Sequence, residues 1–586
     1  MPNNRRPIAY SGKKKKVQLL AKRQKNDLNE SNDSETDESN NRVDDSSAGP
    51  RKKVNFFLSA KKSTNTQSNN GKYSLSFHSE TLKEIKAQKE AAKEPIQVLS
   101  PIDLETGDEY FRGYDFPIRP PWNHGMSKEK MNTNEIRYFT EYVRKLESRH
   151  TDEDKVMSFC ELNLEIWRQL WRVLEISDIV LVIVDARNPS LMFPPSLFKY
   201  VKNELKKDMI LVLNKIDLVP SHIVLAWKHY FEEKYPDIRV ILFTAYPSYN
   251  LLPAQEHDGA QRHRLRMLRR RGKMQMAKEG AYQIQQACKS IVGDQVDINS
   301  WGKKIIEEMK DTPRDTDLES LPKSEQQAPP HDDSEFDTND RVRFQNGILT
   351  IGCVGFPNVG KSSLLNALKG KKVVSVSQTP GHTKYFQTIF LTKNVRLCDC
   401  PGLVFPSCVP RKLQVLIGSY PVTQLREPLA SVQYLAERVD LKKTLNVDVD
   451  NPCSAIDICD AWASVRGFLT AKTARFDTNR AANHILRMAI TGQIVLSLLP
   501  VGFVATEREW QTHAGIKDIE SIKALGITEH LQDVDENCDS ISDYTDDSNL
   551  DESDNENDAQ DDEDTFIRSK TNAFHLLDDD DEEEDE

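Results

Sequence analysis

Two short motifs constrain the fold of this chain because they stand in an unusual order. Asn214-Lys215-Ile216-Asp217 comes first, and the glycine-rich segment 355–362 (GFPNVGKS) comes later. Each follows an apolar run, 209–213 and 348–354, of the kind that forms a strand buried on both faces of a parallel sheet. Nucleotide-binding domains with both motifs usually carry the glycine-rich one first. The chain must therefore build one site from strands that are joined in a permuted order.

Further apolar runs predict the rest of this sheet. They lie at 179–184, 240–243 and 395–398, and helical patterns separate several of them. Residues 385–391 are expected to form an edge strand. Strands that alternate with helices are typical of a doubly wound α/β domain with a mostly parallel sheet. After Pro406 the apolar spacing becomes helical, which predicts a small helical domain.

Composition divides the 586 residues into five parts. Both ends are poor in apolar side chains, so they cannot bury enough surface to offset chain entropy. The net charge of −12 combines a basic head with an acidic tail, and it does not exclude an anionic partner. The predicted parts are a disordered basic head (1–80), a helical and extended segment (81–155), the α/β domain (156–408) with a flexible insertion (about 248–342), the helical domain (409–505) and a disordered acidic tail (506–586).

The cysteines and apolar segments bear on the cellular compartment. The nine cysteines show no paired zinc-ligand spacing, which indicates reduced thiols. The sequence shows neither the apolar segment of a signal peptide nor one that could span a bilayer. We therefore expect a soluble intracellular protein that is not secreted and binds no membrane. We also expect it to be monomeric.

The glycine-rich segment is predicted to bind nucleotide phosphates. In a strand–loop–helix context its backbone N–H groups and the following helix N-terminus face the phosphates. Lys361 is expected to reach the β- and γ-phosphate oxygens, and the Ser362 hydroxyl to bind Mg²⁺. The predicted phosphate-binding residues are Gly355, Asn358, Val359, Gly360, Lys361, Ser362 and Ser363.

Asp399-Cys400-Pro401-Gly402 closes a predicted strand and is expected to respond to a γ-phosphate. Asp399 would hold the Mg²⁺ shell through a water, and the Gly402 N–H would sense the phosphate. Thr383 is preferred to Thr379 as the switch threonine because it lies closer to the edge strand. For His382 a solvated loop position is favoured over a catalytic role. The predicted metal ligands are Ser362, Thr383 and Asp399.

The earlier motif is predicted to read a guanine base. The Asp217 carboxylate can accept both N–H donors of the guanine Watson–Crick edge, which adenine does not offer. Asn214 would meet the other edge and Lys215 would pack along the ring. Thr244 and Ala245 follow the next strand and would supply the backbone N–H that contacts guanine O6. Leaving these polar groups unpaired against a wrong base would make the discrimination large.

The motif order, with Asp185-Ala186-Arg187-Asn188-Pro189 before the base-reading motif, resembles the circularly permuted GTPases, a family of ribosome-assembly GTPases. The resemblance covers about residues 110–505. It implies a circularly permuted P-loop GTPase domain followed by a helical domain, with GTP or GDP and Mg²⁺ at the site. It also implies a general association with ribosome maturation. We therefore expect a molecular switch in ribosome biogenesis that partners a pre-ribosomal particle or RNA, with an activating or exchange factor. We expect it in the nucleus, nucleolus and cytoplasm.

Leu403 stands where Ras-like enzymes carry a water-orienting Gln. Resemblance to GTPases that lack this Gln, together with Asn358 in the phosphate loop, suggests that K⁺ supplies the missing charge. A polar turn residue without a chemical role is the alternative for Asn358. The predicted catalytic residues are Lys361, Thr383, Gly402 and Asn358. Because hydrolysis should be slow without a partner, a non-enzymatic GTP-binding scaffold that recruits partners through its tails is the competing hypothesis.

Basic clusters are the least specific features of the sequence. Those at 13–25 and 262–273 could contact RNA phosphates, and Arg480, Asn483 and Arg487 share one face of a predicted helix. Nuclear targeting and solvated charge remain alternatives. Because the segment 403–406 runs directly from Gly402 into the helical domain, we expect nucleotide state to be transmitted to that domain.

Overall fold

The structure is a computed structural model that describes residues 77, 82–123, 125–149, 157–244, 277–310, 343–369, 373–377, 380–470 and 475–524. The basic clusters at 13–25 and 262–273, Ala245, Thr379 and most of the predicted tails lie outside these residues. Within the described part, no helix combines the length and apolarity that a bilayer crossing requires.

A six-stranded sheet forms the centre of the described chain, in the order β4-β3-β2-β5-β7-β6. Its strands run parallel except β6, which pairs antiparallel with β7 at the edge. A separate parallel pair joins β1 to β8. The strands are β1 (Glu105–Thr106), β2 (Ile179–Asp185), β3 (Asp208–Asn214), β4 (Arg239–Leu242), β5 (Leu349–Val354), β6 (Gln387–Thr392), β7 (Val395–Asp399) and β8 (Leu499–Pro500).

The apolar runs form these strands because both faces of the sheet are covered. Every residue of β2 and β5 is buried, as a parallel sheet between helical layers requires. The edge strand β6 is only partly buried, which explains its more polar sequence. The structure confirms the doubly wound, permuted α/β fold.

Helices cover both faces of the sheet and build the domain that follows it. The α-helices among the described residues are α1 (Leu82–Ala91), α2 (Lys128–Arg149), α3 (Leu164–Ile176), α4 (Pro195–Lys199, continued by a π-helical turn at Tyr200–Glu204), α5 (Ser221–Lys234), α6 (residues 277–292), α7 (Asn299–Lys310), α8 (Lys361–Lys369), α9 (Arg411–Leu416), α10 (Leu429–Ala436), α11 (Leu441–Leu445), α12 (Ala455–Arg466), α13 (Thr478–Thr491), α14 (Phe503–Thr512) and α15 (Ile516–Ala524).

The described part of the predicted insertion belongs to the core. Helix α6 lies so close to the end of β4 that a Cβ added at Gly280 would stand 2.3 Å from the Phe243 ring. Ile284 of α6 and Trp301 of α7 are buried, and the Asn394 side chain donates to the Asp297 carbonyl at 3.1 Å. These helices therefore cover the sheet on the way from β4 to β5.

The fold continues past the predicted boundary at residue 505, with two helices that pack on α5 of the α/β domain. Helices α14 and α15 carry apolar side chains, such as Phe503 and Ile519, that are buried against the rest of the fold. Beside them, Glu105 of β1 accepts hydrogen bonds from the backbone N–H groups of Gly502 and Val504, each at 2.7 Å. Residues 506–524, which the composition assigns to a disordered acidic tail, are therefore largely helical, because apolar side chains such as Ile519 are buried against the fold.

Candidate nucleotide site

A cavity of about 270 Å³ opens at the carboxyl ends of the parallel strands. This edge of a doubly wound sheet is where ligands normally bind, beside the point at which strand order reverses. The cavity brings together segments from both halves of the permuted chain. The predicted site residues that line it are Asn214, Lys215, Asp217, Thr244, Asn358, Gly360, Lys361, Ser362, Ser363, Thr383 and Gly402.

The two motifs touch one another directly. The Asn214 side chain donates to the Val359 carbonyl at 2.7 Å, and Lys215 Nζ donates to the Asn358 carbonyl at 2.7 Å. Gly360 permits this approach, because it has a φ of +95° and a Cβ there would lie 2.3 Å from Asn214 Nδ2. The base-reading motif therefore fixes the phosphate loop, although the two lie far apart in sequence.

The Lys361 side chain folds back onto the start of the phosphate loop. Its ammonium donates to the carbonyls of Gly355 at 3.1 Å and Phe356 at 2.6 Å. Burial lowers its pKa, while the Asp399 carboxylate opposes that shift. Gly402 packs close by, since a Cβ there would stand 3.1 Å from Lys361 Nζ and 2.9 Å from the Pro357 nitrogen. Lys361 and Gly402 therefore meet beside the phosphate loop.

The base-reading carboxylate has a fixed orientation. The Thr244 hydroxyl, almost fully buried, donates to Asp217 Oδ1 at 2.7 Å. The sequence predicts only a backbone contact for Thr244, so this side-chain contact adds a second role. Helix α15 also reaches this loop, since Lys523 Nζ donates to the Val219 carbonyl at 2.5 Å. Burial lowers the pKa of Lys523 to about 8, against the opposing charge of Asp217.

Asp399 has the environment of a metal ligand. Its side chain is fully buried at the end of β7, and neither carboxylate oxygen has a hydrogen bond of good geometry among the described residues. Burial raises its pKa to about 6, although the Lys361 ammonium and the nearby Ser362 and Gln387 side chains favour the ionised form. Two unsatisfied carboxylate oxygens beside Ser362 fit a hard divalent cation such as Mg²⁺.

The segment after Gly402 is packed rather than free. Leu403 is fully buried and its N–H donates to the Gly355 carbonyl at 3.3 Å. The Phe405 ring lies 5.6 Å from that of Phe356, in the phosphate loop. This segment therefore contacts the phosphate loop as it enters the helical domain, and Leu403 is a core side chain.

The helical domain contributes residues that the sequence did not point to. Ile490 and Thr491, in the last turn of α13, line the cavity. The Asn358 amide donates to the Gly418 carbonyl, which follows α9, at 3.0 Å. Nothing in the local sequence of these segments resembles a nucleotide motif. Their spacing predicts only an ordinary amphipathic helix that ends at Gly492.

Sequence comparisons show which proteins this chain is similar to. Residues 350–444 match a family described as 50S ribosome-binding GTPase. The chain is 34% identical to Large subunit GTPase 1 of Saccharomyces cerevisiae over 399 residues, 65% of this chain and 56% of the other. The GNP-bound structure of YlqF from T. maritima matches 57% of this chain and 96% of that one at 17% identity and a TM-score of 0.30, which is too low to support a conclusion.

The similarity to another group of proteins is higher. The chain is 45% identical to Guanine nucleotide-binding protein-like 1 of Mus musculus over 464 residues, which is 75% of either chain. The human protein of the same name is 44% identical over 467 residues. With this identity, and with the base-reading motif ahead of the phosphate loop in one cavity, the chain belongs to the circularly permuted GTPase family that includes the guanine nucleotide-binding protein-like 1 proteins.

Proposed function

We propose that the protein is a GTP-binding and GTP-hydrolysing molecular switch in ribosome biogenesis. One observation carries the proposal: a single cavity is lined by Asn214 and Asp217 on one side and by Lys361, Ser362 and Thr383 on the other. The first pair suits a guanine base, and the second set suits a triphosphate with its metal ion. Each side of the cavity thus has its own task in holding the nucleotide.

Guanine selection is proposed to depend on the Asp217 carboxylate, whose orientation is fixed by a neighbouring side chain. Thr244 holds one oxygen of Asp217, so the carboxylate is oriented before a base arrives. Asn214 and Lys215 are likewise fixed by the loop carbonyls of Val359 and Asn358. A site with oriented polar groups rejects adenine, because these groups would then stay unpaired away from water.

Phosphate binding uses Lys361 and the N-terminus of α8. Lys361 would exchange its loop carbonyl partners for the β- and γ-phosphate oxygens, while backbone N–H groups of the loop meet the β-phosphate. Ser362, Thr383 and Asp399 would hold Mg²⁺, which supplies charge neutralisation when bound. Gly402 lines the cavity, and its N–H is proposed to report the γ-phosphate to the buried segment that follows.

Hydrolysis is proposed to depend on K⁺, because Leu403 is a core residue and cannot orient a water. Asn358 has a left-handed backbone (φ 57°) in the phosphate loop, and Gly418 orients its amide. We expect single-turnover hydrolysis to be faster in K⁺ than in Na⁺, by about tenfold or more, and the difference to vanish in Asn358→Ala. A K⁺ response that persists in the variant would remove Asn358 from this role. Absence of hydrolysis in either salt would favour the scaffold hypothesis.

A ribosomal role is proposed from the names of the relatives, which describe a large-subunit GTPase and a 50S ribosome-binding GTPase. Pre-ribosomal particles or their RNA are therefore the proposed partners, in the nucleolus, nucleus and cytoplasm, with an activating or exchange factor. We further propose that the protein acts as a monomer.

Binding to such particles should depend on the nucleotide. Coupling free energies between sites are typically ~1–3 kcal/mol, so affinities measured with a non-hydrolysable GTP analogue and with GDP should differ about 5- to 150-fold. The measurement is a titration of the full chain against purified pre-ribosomal particles in each nucleotide, with mature subunits as the control. Equal affinities in the two nucleotides would contradict the switch.

A further inference from the structure

A buried ionic network lies beneath the base-reading motif. Asp185, at the end of β2, and Arg187 are almost fully buried. Arg187 Nε and Nη2 donate to the two Asp185 oxygens at 3.0 and 2.8 Å, and Lys215 Nζ lies 2.9 Å from Asp185 Oδ2. The same lysine donates to the Asn358 carbonyl in the phosphate loop. The network therefore continues from the phosphate loop to Arg187.

Arg187 also reaches the helical domain. Its Nη1 donates to the Ala489 carbonyl at 2.7 Å, and Nη2 donates more weakly to the Ile490 carbonyl at 3.4 Å. These carbonyls belong to the last turn of α13, where the helix dipole is negative and carbonyls lack the usual N–H partner four residues on. The Ala489 carbonyl also accepts the N–H of Gly492, at 3.3 Å. We call residues 489–492 the α13 turn. A buried guanidinium is thus the cation that caps it.

The α13 turn is also a wall of the nucleotide cavity, because Ile490 and Thr491 line it. The turn also lies close to the base-reading motif. Gly492 closes the helix with a φ of +86°, and a Cβ there would stand 2.7 Å from Leu218 in the base-reading loop. A shift of the turn would therefore change the shape of the cavity beside the base.

We propose that Arg187 is a positioning residue of the nucleotide site, which holds the α13 turn as a nucleotide-contacting wall and ties it to Lys215. This inference rests on the proposed GTP site, and it names the contacts through which the helical domain responds to a bound nucleotide. Because α13 is one helix of 14 residues, about 21 Å long, a movement of its last turn is carried to its exposed Arg480 and Arg487. The sensing route runs through side chains as well as through the segment after Gly402.

Substitution by lysine tests the geometry without leaving Asp185 unpaired. Lysine keeps the positive charge but lacks the planar fork that reaches a carboxylate and a carbonyl together. The matched control is Arg438→Lys, because Arg438 also donates to a carboxylate and to a helix carbonyl. It donates to the Glu437 carboxylate at 3.1 Å and to the Tyr434 carbonyl at 2.9 Å. Arg438 does not line the cavity.

The experiment combines nucleotide titration with amide hydrogen exchange on the full chain, using GDP and a non-hydrolysable GTP analogue. In the wild type, both nucleotides should protect the amides of the α13 turn. In Arg187→Lys we expect nucleotide affinity to fall about tenfold and this protection to be lost, while exchange in α10 stays unchanged. Arg438→Lys should change neither the affinity nor the protection.

Several outcomes would decide against the proposal. Normal affinity and normal protection of the turn in Arg187→Lys would overturn it. Equal losses of protection across all helices would assign Arg187 a general structural role and would also overturn it. If Arg187→Lys does not fold, Ile490→Ala is used in its place. Wild-type nucleotide affinity in folded Ile490→Ala would contradict the proposal that the α13 turn contacts the nucleotide. A wild-type chain that binds no nucleotide would refute the proposed function as well.

Discussion

Asp217→Asn is expected to weaken GTP binding by about 100-fold or more and to raise the affinity for xanthosine triphosphate. The carboxylate accepts two N–H groups of guanine, and charged hydrogen bonds of this kind contribute about 1.5–3 kcal/mol each. An amide can donate where xanthine carries an oxygen. Thr244 would still contact the new side chain, because its hydroxyl can donate to the amide oxygen as it donates to Asp217 Oδ1.

The measurement is an equilibrium titration of Asp217→Asn and of a control variant with GTP, xanthosine triphosphate and ATP. Asp237→Asn is the matched control, since Asp237 is exposed and lies outside the cavity. It should bind GTP as the wild type does. Unchanged GTP affinity in Asp217→Asn would remove Asp217 from the base pocket.

Asp399→Asn should have two effects of opposite sign. It should abolish Mg²⁺-dependent nucleotide binding, because the fully buried carboxylate is the proposed anchor of the metal shell. It should also raise the melting temperature of the nucleotide-free protein, since burial raises the pKa of Asp399 to about 6 and its charge therefore opposes folding at neutral pH.

The sign of the pH dependence follows from the raised pKa. A carboxyl that binds its proton more tightly when folded stabilises the fold at low pH and loses that contribution as pH rises through about 6. The melting-temperature difference between Asp399→Asn and the wild type should therefore shrink from pH 7.5 to pH 5.5, in buffer with EDTA. A lower melting temperature for the variant at pH 7.5 would contradict the argument.

Strands and motifs could be predicted from the sequence because their signals are local. Continuous apolar runs identify the five parallel strands of the central sheet, and the motifs alone are enough to assign Asn214 and Lys361 to one site. The edge strand is recognisable from its position after the switch segment. In each case a few adjacent residues carry the physical cause, which is burial on both faces or a phosphate-binding loop.

Other parts of the site depend on contacts between distant segments. Ile490 and Thr491 line the cavity because the end of α13 lies close to Leu218 and its Ala489 carbonyl accepts a hydrogen bond from Arg187. Lys523 reaches the base-reading loop from the part of the chain that the composition predicts to be a disordered tail. No periodicity or motif in those segments encodes a distant partner, so their sequences indicate only an ordinary helix and a tail.

The pairing of β1 with β8 has a consequence for how the chain is made. Leu498, just before β8, donates its N–H to the Arg187 carbonyl and accepts a hydrogen bond from the Trp227 indole. During translation the base-reading motif emerges first, the phosphate loop follows more than a hundred residues later, and β8, which pairs with β1, emerges after both. A nascent chain thus holds the base-reading motif without the phosphate loop while residues 218–354 are synthesised. Stable capture of GTP therefore marks a polypeptide whose synthesis has passed Gly402.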